Sequence, residues 1–450
     1  MVEMIMTRFS SLMAVLFFSA TMVAQAPPSV LFAGKPVIGA TLRLEVTAPF
    51  GTNLVLLADS GGGPNSFGGY VFDLDLGPNL QIIPLGVAGA GPVVLEQVIP
   101  NLSGLVGLTT FVQIVGVSPS AQVSLSQGYQ VTVGLPLPMA QVDDYCYQLQ
   151  GPGGSNLSLS PIASTAFDLS ITDFSSDGTT QFTAAEVGAL QSPSEPQRIR
   201  LAYMSIGEAE DYRWYWPLID PTLVAQANPQ WAGNFKVKYW DPAWKDVIIH
   251  GNPIIGQSYL DRIIDQGFDG VYLDIIDAFE FFGPSEEGGV DLRRDAAREM
   301  VQFVLEIAHH ARVVRGRPDF LVVPQNGSTI ITDGFYPADT LQPGDPSTPQ
   351  AMAALMKDRY FRTIDAIGVE DVFYTGGADE NNPYNPDTYR LGLLSQFVGF
   401  GLPVLNIEYL TVPSLINDFY TIHAPAAGFV PYSSVRDLDI LTVNSAFPPN

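Results

Sequence analysis

The sequence predicts an α/β protein in two parts: a (β/α)8 barrel of the TIM type, preceded by a small all-β, sandwich-like domain. Three observations predict this. With 450 residues, the chain has room for one barrel of about 250 residues and something smaller. Charge is unevenly spread, since residues 27–137 carry only Lys35, Arg43, Glu45, Asp59, Asp73, Asp75 and Glu96. Beyond the Pro-bearing stretch Leu135-Pro136-Leu137-Pro138, the expected linker, strand-like and helix-like runs alternate as they do where crossover helices join parallel strands.

Taken in order, residues 1–26 read as an export signal: Arg8, an apolar run over 12–23 and a small-residue Ala24-Gln25-Ala26 site. The run is too short to span a bilayer. The expectation is a secreted, periplasmic or cell-surface protein with no integral membrane segment after signal removal. In the all-β domain, 27–137, residues 41–46 alternate, with Leu42, Leu44 and Val46 on one face and Arg43 and Glu45 on the other. Further strands are expected at 54–57, 111–115 and 129–133, between Gly-, Pro-, Asn- and Ser-rich stretches. The role of this domain stays open between polysaccharide binding and a spacer or surface attachment; few charges and no Trp favour the latter.

The barrel, 138–450, is expected to draw its strands from 145–149, 167–171, 200–205, 235–239, 270–274, 320–323, 366–370 and 404–408. A ninth run, 429–433, has no assigned place. Amphipathic stretches such as 296–312 and 389–400 fall between the strands. In such a barrel the active site lies at the carboxyl ends of the strands, and several runs end there in acids. Asp274 and Asp277 follow one, Glu370 and Asp371 another, Glu408 a third; Glu208, Glu210 and Asp211 follow residues 200–205, and Asp241 follows 235–239. Several carboxylates on one rim suit glycosidic cleavage, in which one acid protonates the leaving oxygen and another acts as nucleophile or base. Asp274 and Glu370 are the expected catalytic pair. The competing reading makes these acids caps of the following helices, a role that weighs at least equally for Asp277 and Asp371.

All five tryptophans fall in one short stretch: Trp214, Trp216, Trp231, Trp240 and Trp244. Such clustering suits sugar rings stacking on aromatic faces; Trp214, Trp216 and Trp240 are the expected platforms, and Trp244 the structural one. Lys and Arg number 21 against 46 Asp and Glu, a net charge of −25, which opposes binding to nucleic acid or anionic lipid. The lone Cys146 allows no internal disulfide and reads as a buried apolar residue. The four histidines show no metal-ligand spacing, so neither a metal nor a cofactor is expected.

The same segments resemble glycoside hydrolase family 114, the endo-α-1,4-polygalactosaminidase-like barrels. The matching stretches run from Tyr203-Met204-Ser205-Ile206-Gly207-Glu208-Ala209-Glu210-Asp211 through Gly267-Phe268-Asp269-Gly270-Val271-Tyr272-Leu273-Asp274, Pro324-Gln325-Asn326-Gly327 and Gly368-Val369-Glu370-Asp371 to Asn406-Ile407-Glu408-Tyr409. They bracket most of the second half and none of the first. The resemblance implies hydrolysis of galactosamine-containing polymers, with Asp274 and Glu370 matching the family's strand-end acids. Glu208, Asp211, Asp241, Asp277, Asn326 and Glu408 join the three tryptophans as expected substrate-binding residues. Gln325 departs from the Lys of the better-studied branch. A partly deacetylated aminosugar polymer is cationic, and the acidic chain is compatible with it. Two alternatives to the enzyme are a catalytically silent glycan-binding barrel and a structural cell-surface protein.

Overall fold

The computed structural model describes residues 25–67, 69–191, 195–284 and 293–449. Nearly all of the expected export signal lies outside them. Among the described residues, no helix is long and apolar enough to cross a membrane.

The chain divides into two compact units. The first comprises the described residues up to Pro136 together with His309–Asp319 and Leu341–Ser347. Its strands are β1 (Ser29–Gly34), β2 (Thr41–Thr47), β3 (Asn53–Asp59), β4 (Gly62–Phe67), β5 (Tyr70–Leu74), β6 (Gln81–Val87), β7 (Val93–Val98), β8 (Thr109–Val117), β9 (Val123–Leu125) and β10 (Tyr129–Thr132). They pair antiparallel as β1-β2-β7, as β10-β8-β3-β6 with β9 beside β8, and as a β4-β5 hairpin. Period-two alternation buries β3 on both faces: Leu54 and Leu56 join Val30, Phe32, Leu44, Val46 and Ile114 in one core, while Leu57 joins Phe72, Leu74, Val115 and Val117 in another. On β2, Leu44 and Val46 are core and Arg43 and Glu45 form an ion pair at 2.8 Å, as the alternation predicts. His309 and Arg312, which the sequence places on a barrel helix, belong to this unit. His309 accepts the Phe32 N–H at 3.2 Å and stacks on its ring, and Arg312 donates to the Gly34 carbonyl.

The second unit carries eight parallel strands: β11 (Tyr145–Gln148), β12 (Leu169–Thr172), β13 (Ile199–Ser205), β17 (Gly270–Asp274) and β18 (Leu321–Pro324) in one sheet, and β19 (Ile367–Glu370), β20 (Val404–Glu408) and β21 (Val430–Ser433) in another. A parallel bridge between Gln325 and Gly368 links β18 to β19. Two expectations are corrected here. Residues 235–239 are not a strand of this series; they overlap β16 (Asn234–Val237), which pairs antiparallel with β14 (Glu208–Glu210) and β15 (Val224–Ala227) in a separate small sheet. The eighth parallel strand is instead β21, the run the sequence left unplaced. The 235–239 run alternates well enough to be a strand, but period alone does not choose a pairing partner.

The strands are almost wholly buried, as strands covered on both faces must be. Cys146 is buried on β11 and unpaired, and burial pushes its thiol up to about 12, leaving it inert.

Candidate active site

Asp274 is the last residue of β17 and Glu370 the last of β19. Both strands run parallel with only β18 between them. The two acids therefore share one rim, with backbones about two strand spacings, ~10 Å, apart. Each is half-buried.

Tight local turns hold the pair. Ile275, Asn326 and Asp371, the residues following Asp274, Gln325 and Glu370, all have left-handed backbone, with φ of 60°, 60° and 49°. For β-branched Ile275 this conformation is costly, of order 1–3 kcal/mol. Such strain persists only where the surroundings over-determine it. At Ile275 they do: its N–H donates to Asp274 Oδ1 at 2.8 Å, and a Cβ on Gly207 would stand 2.2 Å from its carbonyl oxygen. Only glycine at 207 leaves room for this turn.

Besides the Ile275 N–H, three side-chain donors fix the carboxylates. Tyr203 Oη donates to Asp274 Oδ2 at 2.7 Å. Asn326 Nδ2 donates to Glu370 Oε2 at 2.7 Å, and Tyr409 Oη donates to Glu370 Oε1. Asn326 is oriented in turn by Arg390, whose guanidinium reaches its Oδ1 at 3.1 Å and the Glu370 carbonyl at 3.0 Å. Arg436 lies over the Tyr409 ring at 3.8 Å and pairs with Asp371 at 2.7 Å. Beneath the rim, Tyr272 crosses so close to β19 that a Cβ on Gly368 would stand 1.8 Å from its hydroxyl. Burial, and then the charge of Glu370, push the Asp274 carboxyl up to about 8. Raised this far, the Asp274 carboxyl keeps its proton near neutral pH.

A cavity of about 460 Å³ opens beside Glu370, lined by Glu370, Asn326, Asp277, Glu280, Tyr389 and Arg390 among others. Asp277 precedes the helix Ala278–Phe282 without a side-chain cap bond, so the capping role is not what it performs here. Burial raises its carboxyl while nearby Lys236 lowers it.

Other expected substrate contacts are placed elsewhere. Glu408 is wholly buried and accepts the N–H groups of Val372, Phe373 and Tyr374, tying down the loop after Glu370; burial raises it to about 7. Glu208 is also wholly buried, paired with Lys236 at 2.9 Å and bonded to Asn228 and Asn234. Asp241 caps the helix Pro242–Lys245. Asp211 is exposed beside the Gly233 turn. Trp214 lies under Arg262, Trp216 stacks on Phe235, and Trp240 packs against Phe282 with Arg293 over its ring. None of these seven residues lines the cavity. Trp244 is fully buried, its indole N–H donating to the Ile206 carbonyl.

Sequence reasoning missed Tyr203, Tyr409, Arg390, Arg436 and Lys236. Tyr203 and Tyr409 lie within quoted motifs, and Tyr203, two residues before Ser205 on a strand, could have been placed on the same face by period two. The arginines carry no local signal, since Arg390 meets Asn326 across 64 residues. No group of three or more His, Cys, Asp or Glu suited to a metal is found among the described residues.

Comparison with known proteins adds to this geometry. The family described as "Glycoside-hydrolase family GH114" matches residues 140–341. An uncharacterized protein of Thermotoga maritima is 33% identical over 319 residues, covering 67% of this chain and 83% of its own. One of Deinococcus radiodurans is 34% identical over 312 residues, covering 68% and 84%. Among solved structures, Aspergillus fumigatus Ega3 in complex with galactosamine is similar over 67% of this chain and 94% of its own, at 16% identity and a TM-score of 0.46.

Proposed function

Because the chain belongs to glycoside hydrolase family GH114, we propose that it is an exported endo-acting glycosidase cleaving a galactosamine-containing polysaccharide, with Asp274 and Glu370 as its catalytic pair. The single observation that carries the reading is the placement of these acids at the ends of β17 and β19, each held by a tyrosine hydroxyl and a second donor. The family supports glycosidic cleavage. The aminosugar polymer is what the motif resemblance implies, and the charge of −25 suits a cationic chain.

We read the eight parallel strands as a closed (β/α)8 barrel. The Gln325–Gly368 bridge supports continuity between the two sheets, and the Leu149 N–H donating to the Leu438 carbonyl supports closure between the segments after β11 and β21. In that arrangement both acids face the mouth. One protonates the glycosidic oxygen as its bond to the anomeric carbon breaks, while the other meets the cationic carbon directly or through water. Asn326 and Tyr409 keep Glu370 in place, and Tyr203 does so for Asp274, so little reorganisation accompanies the transition state. Export rests on the first 26 residues, and fractionation of producing cells checks it.

The test is hydrolysis of a panel of aminosugar and neutral polysaccharides. Asp274→Asn and Glu370→Gln each keep shape and remove the charge or proton, so turnover should fall by at least ~100-fold with folding intact. Unchanged hydrolysis in either variant rejects that residue's role.

A further inference from the structure

The tryptophans offered by the sequence as sugar platforms are engaged away from the cavity, yet one large aromatic does line it. Tyr389 is 60% exposed and shares the cavity wall with Asp277, Asn326 and Glu370. Its backbone is firmly rooted. It is the second residue of the helix Thr388–Phe400, which Asp387 caps by accepting the Arg390 N–H at 2.9 Å, and the Asp387 N–H donates to the Val372 carbonyl at 2.9 Å. The next side chain, Arg390, is bonded to Asn326 and to the Glu370 carbonyl. The Tyr389 ring itself enters no hydrogen bond, ion pair or ring contact among the described residues. A rigidly rooted aromatic with an uncommitted face, one residue from the arginine that braces Glu370, is what a pyranose ring needs. Its C–H face stacks on the ring, and only two side-chain torsions are lost in doing so.

We propose that Tyr389 forms an aromatic sugar subsite on the Glu370 side of the cleft, stacking against a pyranose unit next to the cleaved bond rather than at it. The cavity wall includes Glu370 and Tyr389 but not Asp274, so a unit seated there lies on the Glu370 side of the pair. This rests on the glycosidase reading above and adds where the chain is gripped.

The experiment uses the full chain and α-1,4-linked galactosamine oligosaccharides of graded length. Binding is measured by calorimetry in a Glu370→Gln background, and cleavage in the otherwise unaltered protein. Tyr389→Ala should weaken binding of the longer oligomers about tenfold, raise KM with kcat within twofold, and leave the shortest oligomer and the thermal midpoint unchanged. Tyr389→Phe and Tyr389→Trp should restore binding. Affinities within twofold at every length, or a Phe variant as weak as Ala, overturn the subsite. Binding that depends on Tyr389 without cleavage by the unaltered protein sustains the subsite and overturns the catalytic reading. Neither binding nor cleavage overturns both.

Discussion

Asp274→Asn should change the pH dependence of stability as well as turnover, and the size of the change follows from the cleft. In the folded protein the Asp274 carboxyl is raised from the ordinary 3.8 to about 8, by burial first and by Glu370 second. Between these values the unfolded chain has released the proton and the folded chain keeps it, so stability falls as pH rises and levels off above about 8. A shift of about four units corresponds to at most about 5–6 kcal/mol; water reaching this partly exposed carboxyl brings the expected change to about 2–4 kcal/mol. Asparagine cannot ionise, and any lost bond to Tyr203 or Ile275 is a constant offset. Urea unfolding of both proteins at fixed ionic strength from pH 5 to 9 should therefore show the variant gaining about 2–4 kcal/mol relative to the parent across that range. Glu370→Gln removes the second cause of the shift and should move the upper end of the window toward lower pH. Parallel stability curves for the parent and Asp274→Asn would refute the buried, coupled proton.

Three further outcomes follow from packing. Gly368→Ala should destabilise by about 2–4 kcal/mol, or displace Tyr272 and cost activity beyond the loss of folded protein, because its Cβ meets that hydroxyl at 1.8 Å; calorimetry with active-site titration checks it. Glu408→Ala should cost about 3–5 kcal/mol by leaving three buried N–H groups unpaired, and an unfolding midpoint matching the parent would contradict that role. Trp240→Ala should lower stability by about 2–4 kcal/mol through its contacts with Phe282 and Arg293, with affinity per folded molecule unchanged; an affinity loss at equal stability would return Trp240 to the binding surface.

The acids show why similar sequence signals divided. Asp274, Glu370 and Glu408 all end apolar strand runs, the first two expected to be catalytic and Glu408 to bind substrate. In the fold, Glu408 on β20 is claimed by the backbone of 372–374, while Glu370 on β19 is held by two side chains and lines the cavity. The tryptophan cluster dispersed for a related reason. Proximity in the chain resembled a platform, but each ring met a different partner: Arg262 for Trp214, Phe235 for Trp216, and Phe282 for Trp240.

What the sequence by itself determined were the properties that depend on short-range pattern. Period-two alternation marked β2, the apolar runs marked seven of the eight parallel strands, and the positions of Asp274 and Glu370 at strand ends put both on one rim, because parallel strands carry their carboxyl ends to the same side. Only the tertiary structure decided which strand completed the series, which of these acids line the cavity, and which aromatic remained uncommitted there. Those outcomes depend on pairings between residues tens to hundreds of positions apart, such as Arg390 with Asn326 or Tyr147 with Gln325, and they are set by burial and hydrogen-bond satisfaction across the whole fold rather than by any local run of side chains.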